Sequence, residues 1–536
     1  MINLFIDLIK PNINKIIFTI YLSVVWIIYI FLKICDMSAG GINRKVFGVI
    51  SIVILLIIYF VASLILKAVG SISISKNTEK SKKQKWIFFI INTVAAFLVF
   101  LFCFFAFKPG GISNDILNQY KQAITGHYSD WHPVLHTFVF YTIPIKLFGS
   151  IEAAIIIQCI YFSLVVGFMG ETIYEYLGLK ASFITNLYVL SNPYVGSIAV
   201  YLWKDVAFAA TGCLIMTLEA RLYYSGNKQK KNYVLDLLLG ILLACETLFR
   251  HNGILFTVPL IVALFLVCSP KKYIRIVISA VVFFILIKYG LYSALNVEKP
   301  GSRKIETLGL PINIIASAVK DNPDILDKEV VDFAHSIAPQ EKWVNEYVIG
   351  DFNSIKWAGV NLDIIEESSV KDILEYAIIC IKENPKASLR GVFKLTNTVY
   401  MTDGYPPNIG YDNIGIANNE YGFEYKGIST WAEIWRIYNS VYSETLLKYI
   451  KYIGFSLLLI LCVGLSKCDL KTLNDWKKIL LVLPVFVYSF GTMLLLTSSG
   501  DSRFFFIDFV VCPVCILILM LENKSNSQGG DTINAE

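Results

Sequence analysis

Between Lys108 and His136 the chain reads KPGGISNDILNQYKQAITGHYSDWHPVLH, directly after an apolar run from Trp86 to Phe107. This stretch holds three of the five histidines, His127, His132 and His136, together with Asp115, Asp130 and Trp131. Polar chemistry at the end of a membrane helix is costly to maintain and marks a functional site. Asp115 follows a Gly-Gly pair that permits a sharp turn, and Ser113 or Asn114 can cap a short helix beginning near Ile116. A carboxylate so placed suits a general base for an acceptor hydroxyl, a ligand for a divalent metal, or simply a helix cap. Asp130, in YSDWHP, fits a turn as well as a site. His132 and His136 stand four apart and would share a helix face. Pro133 between them, and the lack of an H-E-x-x-H spacing, turn the reading from zinc toward phosphate binding or the interface. Trp131 suits an interfacial anchor in either case.

A second constellation is scattered through the chain: Lys204 and Asp205 in YLWKD, Arg250, His251 and Asn252 in RHNG, and Arg503 in SSGDSR. Each cation stands at the end of an apolar run. Arginine offers a planar fork of donors to phosphate and lysine a compact charge. The plainer alternative is local ion pairing: Lys204 with Asp205, Asp501 with Arg503, and Arg250 with Glu246 one turn earlier.

The elements that must position these groups are apolar. The chain of 536 residues is 56% hydrophobic and 16% charged, against about a quarter charged in soluble domains, so the expectation is an all-α polytopic membrane protein. Its net charge of +6 sits in short loops between apolar runs and argues for no nucleic acid. Most of the eleven cysteines lie in apolar runs as small hydrophobes, the Cys512-x-x-Cys515 spacing included. Runs of about twenty residues are needed to cross a bilayer. About twelve are expected, near 16–35, 47–69, 86–107, 151–174, 181–198, 206–224, 233–249, 253–268, 273–294, 447–466, 478–497 and 503–522. Basic clusters at Lys76–Lys85, Arg221–Lys231, Lys271–Arg275 and Lys467–Lys478 belong in the cytoplasm by the positive-inside rule. Parity between the first two makes 133–148 a surface helix and puts both termini inside, in a multi-pass protein of the cell membrane. The resulting plan has an N-terminal membrane domain 1–294 with an external loop 108–150. An α-rich extracytoplasmic soluble region follows at 295–446, then transmembrane helices at 447–522 and a disordered cytoplasmic tail at 523–536. All the candidate site residues then fall on the outer face, where cations run against the positive-inside bias and call for an anionic ligand.

The motifs PGGISND, SDWHPVLHT, WKD, RHNG and DSRFF, in this order of spans and loops, resemble a bacterial branch of the GT-C superfamily of integral-membrane glycosyltransferases. That superfamily includes protein O-mannosyltransferases, aminoarabinose transferases of lipid A and oligosaccharyltransferase catalytic subunits. The resemblance covers most of the membrane part to about residue 294 and the last span. It implies a GT-C-like fold and an inverting transfer of a sugar from a polyprenyl-phosphate donor to a cell-envelope acceptor (glycan, lipid or protein). By the same resemblance Asp115 is the catalytic carboxylate. Lys204, Arg250, Arg503 and His251 bind the donor phosphate, and Asp205, Asn252, His132, Trp131 and Asp130 line the substrate site. The first loop has Asn114-Asp115 where a D-x-D or D-E pair would favour a divalent metal, so a single carboxylate acting with fixed cations is the expectation. The rival readings are a transporter or flippase, a polysaccharide polymerase or ligase, and a membrane sensor using 295–446.

Overall fold

The computed structural model describes residues 12–36, 44–72, 80–225, 232–301, 304–402 and 414–521. The expected tail at 523–536 and the basic residues Lys76, Lys228, Lys230 and Lys231 lie outside them. Among the described residues there are helices and isolated β-bridges, and no strand.

The membrane part is built from α1 (Ile13–Asp36), α2 (Arg44–Gly70), α3 (Lys82–Ala106), α4 (Asn114–Thr125), α5 (Val134–Phe148), α6 (Ile151–Leu177), α7 (Leu179–Leu190), α8 (Pro193–Ala199), α9 (Lys204–Ser225), α10 (Tyr233–Phe249), α11 (Ile254–Val267) and α12 (Pro270–Ala294). Further along the chain come α13 (Ser429–Glu444), α14 (Ile453–Lys467), α15 (Leu473–Leu495) and α16 (Phe506–Met520). Local sequence sets several boundaries. A capping box opens α3, with Ser81 Oγ accepting from the Gln84 amide at 3.2 Å and Gln84 Oε1 accepting from the Ser81 amide at 2.9 Å. Ser150 Oγ caps α6, and Gly126 and Gly149 end α4 and α5 in the left-handed conformation.

The chain is an all-α polytopic membrane protein. Seven helices among the described residues are long and apolar enough to cross a bilayer, eight if the bent pair Gly48–Leu55 and Ile57–Gly70 counts as one. The other expected crossings are shorter or broken. The run at 181–198 divides at Asn192-Pro193, where Asn192 Oδ1 accepts from the Tyr194 amide at 3.0 Å and proline occupies the first position of α8. Helices α10, α11 and α14 have 17, 14 and 15 residues. The 133–148 run forms α5, whose first residues Val134, Leu135, His136 and Thr137 are buried against the bundle.

Contacts sort the helix ends into two groups. At one end Asn14 Nδ2 donates to Leu465 O and Cys468 O, Lys467 Nζ to Gly70 O, Lys85 pairs with Glu175, and Arg221 with Glu171. The described parts of all four basic clusters share this end. At the other end lie the 108–136 loop, the Tyr201–Asp205 turn, Arg250 and the Ser498–Arg503 turn. Close helix approach joins the two ends: a Cβ on Gly167 of α6 would stand 1.9 Å from Thr93 Oγ1 of α3, the small-residue contact expected between helices in lipid.

The 295–446 stretch divides into parts with different roles. Residues 304–380 fold around a core of their own that includes Val330, Trp343, Tyr347, Phe352 and Ile373. This unit sits on the Ser498 turn, with Phe352 N donating to Thr497 O at 2.9 Å and Ser499 N to Gly350 O at 3.0 Å. The helix Pro385–Thr396, which packs on this unit, is tied to the end of α1, where Arg390 and Lys394 both bond Asp36 at 2.7 Å. Residues 414–428 form an extended strap across the 108–113 loop. The helix α13 then lies along α3, with Trp431 stacked on Phe102 at 5.1 Å. So 429–446 belongs with the membrane bundle and not with a soluble unit, because its aromatic face needs that apolar partner.

Candidate functional site

Three backbone segments meet at the loop end. Gly111 N donates to Val200 O at 3.1 Å, Ile112 N donates to Gly415 O at 3.0 Å, and Ala417 N donates to Ile112 O at 2.7 Å. Gly111 is required there: an added Cβ would lie 2.0 Å from the Tyr201 ring. Tyr201 in turn stacks on Trp203, with ring centroids 4.1 Å apart. Trp203 Nε1 donates to Ser113 Oγ at 2.8 Å, so Ser113 holds an indole and makes no side-chain cap of its own helix. The helix begins at Asn114, two residues earlier than expected, which puts Asp115 in its first turn. That position favours a carboxylate through the helix dipole.

Arg503 Nη2 donates to Asp115 Oδ2 at 2.7 Å. The same guanidinium lies over the Trp203 ring at 4.7 Å. The pair is reachable from water, with side-chain exposures of 16% for Arg503 and 33% for Asp115. Burial pushes the Asp115 carboxyl up, but Arg503, with Lys204 and His132 close by, outweighs it and holds the group well below the usual carboxylate range. His132 is buried, and its Nδ1 has no hydrogen-bond partner among the described residues. Burial, reinforced by the charges of Lys204, Arg503 and His251 and partly offset by Asp115, depresses its imidazole to about 3. Asp115, Arg503, Lys204, His132 and His251 therefore lie within one electrostatic neighbourhood. Lys204 opens α9, at the helix end where a cation is disfavoured by the dipole, and its charge acts on the Asp115 carboxyl.

Arg250 belongs to a different arrangement. It forms a sealed ion pair with Asp205, with side-chain exposures of 4% and 1%. Its Nε donates to Asn252 Oδ1 at 2.6 Å and its guanidinium lies 4.1 Å over the Phe504 ring. Asn252 Nδ2 donates to Thr492 Oγ1 at 3.0 Å. Ion pairs at the site cross between elements, Asp205 with Arg250 and Asp115 with Arg503, and the Arg503 charge also acts on its neighbour Asp501. Glu246 points away into the bundle beside Gly212. Arg250, Asp205 and Asn252 thus brace the site's floor, one layer beneath Arg503 through the shared Phe504 ring.

Asp130 stands apart. It bonds Lys288 Nζ at 3.1 Å and Tyr292 Oη at 2.8 Å, tying the loop to α12. Trp131 is 40% exposed. His136 Nδ1 meets Gln119 Oε1 at 2.9 Å, joining α5 to α4. Asp501 accepts from Asn353 Nδ2 at 3.2 Å, which ties the Arg503 turn to the 304–380 unit. No group of three His, Cys, Asp or Glu side chains among the described residues is placed to hold a metal ion.

Sequence reasoning missed two acids inside the bundle, Glu219 and Asp508, and read a third, Glu246, only as a local partner for Arg250. Glu219 on α9 and Glu246 on α10 are fully buried, and neither carboxyl has a hydrogen-bond partner among the described residues. Asp508 on α16 is buried with both oxygens bonded by Ser489 Oγ at 2.8 Å. The signal was an acid inside an apolar run, in TLEAR, CETLF and FIDFV.

Comparison with family models, with curated proteins and with solved structures finds no match to this chain.

Proposed function

We propose that the chain is a membrane glycosyltransferase that moves a sugar from a polyprenyl-phosphate donor to an acceptor at the outer face of the cell membrane. The observation that carries this reading is the meeting of Asp115 with Arg503, in the charge field of Lys204 and His132, at the end of the bundle opposite the basic clusters. A site at a helix end in lipid, with one carboxylate and several cations, suits a substrate whose leaving group is a lipid phosphate. In the reaction, an acceptor hydroxyl oxygen bonds to the anomeric carbon as the bond from that carbon to phosphate oxygen breaks. The phosphate departs with the electron pair, stabilised by Arg503 and Lys204, and the hydroxyl proton passes to Asp115 and on to water. Bound to Arg503, Asp115 is a weak base. A donor phosphate that takes over the guanidinium would restore its basicity at the moment it is needed. Both termini lie in the cytoplasm in this reading, and the chain crosses the membrane about twelve times.

The test is Asp115→Asn in the full-length protein, assayed for transfer from a radiolabelled polyprenyl-phosphate sugar, with Asp130→Asn as a folded control. Loss of about a hundredfold or more in the first and near-normal rates in the second are expected. Full activity in Asp115→Asn removes the reading.

A second reading, a proton-coupled transporter or flippase of a lipid-linked anion, is favoured by Glu219, Glu246 and Asp508, since acids buried in a membrane mark proton relays and substrate paths. Reconstituted vesicles decide it. Proton-driven movement of a lipid-linked sugar that disappears in Glu246→Gln and persists in Asp115→Asn would replace the transferase.

A further inference from the structure

Beside Asp115, between the outer face of α4 and the strap, runs an open groove of about 620 Å³, within the roughly 300–1,000 Å³ of small-molecule sites. Asn114, Asn118 and Lys121 line one wall, and Asn418, Glu420 and Tyr421 the other. Asn118 is three residues from Asp115, hence its neighbour on the helix surface. The strap wall is a built turn. Asn419 Nδ2 donates to Ala417 O and Phe423 O at 3.0 Å, and its Oδ1 accepts from the Tyr421 and Phe423 amides at 3.2 and 2.9 Å. Tyr421 is set edge-on to Tyr120 of α4 at 5.1 Å. The whole strap is registered on the Asp115 loop by Lys426 N donating to Lys108 O and Tyr425 Oη donating to Ala106 O, at 2.7 and 2.8 Å. On the helix wall, Asn118 Oδ1 already accepts from Gln122 Nε2 at 2.8 Å, which leaves its amide hydrogens to donate.

We infer that this groove binds a neutral, polyhydroxylated carbohydrate chain as the acceptor, an assignment that rests on the transferase reading. Carboxamides both donate and accept and match hydroxyl groups without fixing a charge. One amine and one carboxylate, Lys121 and Glu420, leave the groove without net charge, which disfavours a polyanion. A tyrosine ring offers a flat apolar face to the C–H side of a sugar while its hydroxyl stays wet. A lipid or an apolar peptide would find few partners here. The groove's lining reaches Asn114, the residue before Asp115, so a chain lying in it would bring a hydroxyl close to the carboxylate.

The test uses full-length protein in lipid nanodiscs and saturation-transfer NMR with maltohexaose, chitohexaose and mannohexaose, and a Gly-Ser hexapeptide as control. At least one hexasaccharide is expected to give transfer signals and the peptide none. Asn118→Ala combined with Tyr421→Ala should weaken that binding at least tenfold, and the exposed single change Asn418→Ala should weaken it measurably without affecting the fold. Silence from all three sugars, equal signals from the peptide, or binding unchanged in these variants would overturn the proposal. Asp115→Asn separates the two readings, since it should bind the hexasaccharide normally while transferring nothing. Hexasaccharide binding by a protein that transfers no sugar from any polyprenyl-phosphate donor supports the groove and ends the transferase reading.

Discussion

Arg503 and Asp115 lie 388 positions apart in sequence, and the guanidinium Nη2 donates to the carboxylate Oδ2 at 2.7 Å. The bond joins the 108–136 segment to the turn before the last helix and sets the protonation of the proposed base. Because the carboxyl is held well below the usual carboxylate range, the acid limb of a pH–rate profile should lie below the ordinary aspartate value of about 3.9 in the free enzyme. Removing the charge in Arg503→Gln should move that limb up by about one to three pH units and lower kcat/KM by about a hundredfold, through loss of phosphate stabilisation. The measurement is kcat/KM against pH for both proteins. An unmoved acid limb would separate the pair from the chemistry.

Arg250 makes a contrasting prediction, because its pair with Asp205 is sealed from water. Breaking a buried pair from one side leaves an uncompensated charge and costs about 3–5 kcal/mol. Arg250→Met and Asp205→Asn should each sharply lower the denaturation midpoint in detergent. The double variant should recover a good part of the loss, since neither charge is then stranded. Single variants as stable as the wild type would mean that the pair does not brace the site.

Much of this arrangement was legible as residue types at span ends and little of it as pairings. Asp115, Lys204, His132 and Arg503 each stand out as polar groups next to an apolar run, and the two basic and polar ends follow from charge alone. Which acid meets which cation depends on helix packing: the local alternative for Arg250, Glu246, yields to Asp205 from another helix, and Arg503 reaches Asp115 besides acting on its neighbour Asp501. The break at Asn192-Pro193 was visible as a turn dipeptide but lay inside an otherwise continuous apolar run. The strap at 414–428 carries no periodicity. Its structure comes from backbone bonds to Lys108, Ile112 and Phe105, which composition does not encode. Glu219 and Asp508 were legible and passed over, because mean hydropathy dilutes one acid among twenty apolar residues.

His132 should leave a signature in acid stability. Its native imidazole stays neutral down to about 3, whereas in the unfolded chain it titrates near 6.5. Between those values the unfolded state binds one more proton, so stability falls as pH drops through this window, by up to about 1.4 kcal/mol per pH unit. Asp115 acts only lower: its native carboxylate is depressed, so its stabilisation is full above about 3.9 and lost beneath it. His136, also held well below its usual value by burial, adds a parallel fall over this interval, so the His132 share is the difference between wild type and variant. His132→Gln should make the fall in denaturation midpoint between about pH 6.5 and 3 shallower and leave the region below that alone. Parallel profiles would mean that His132 meets water or a proton-accepting partner in the native state.

The last prediction concerns the contact that places Trp203 over Arg503. Gly111 has no room for a methyl group, since a Cβ would fall 2.0 Å from the Tyr201 ring, and that ring stacks on Trp203. In Gly111→Ala the ring must yield, Trp203 must shift with it, and Arg503 loses the surface that orients its guanidinium. A displacement of about 1 Å in a positioning group costs about a hundredfold in rate, so transfer should fall by that order while insertion and overall helix content hold. Gly126→Ala supplies the comparison, because its Cβ would meet nothing within 4 Å and only its positive φ of 76° is strained. Its cost should therefore appear in stability and not in rate. Equal transfer rates in the two variants would break the proposed line from Gly111 through Tyr201 and Trp203 to Arg503.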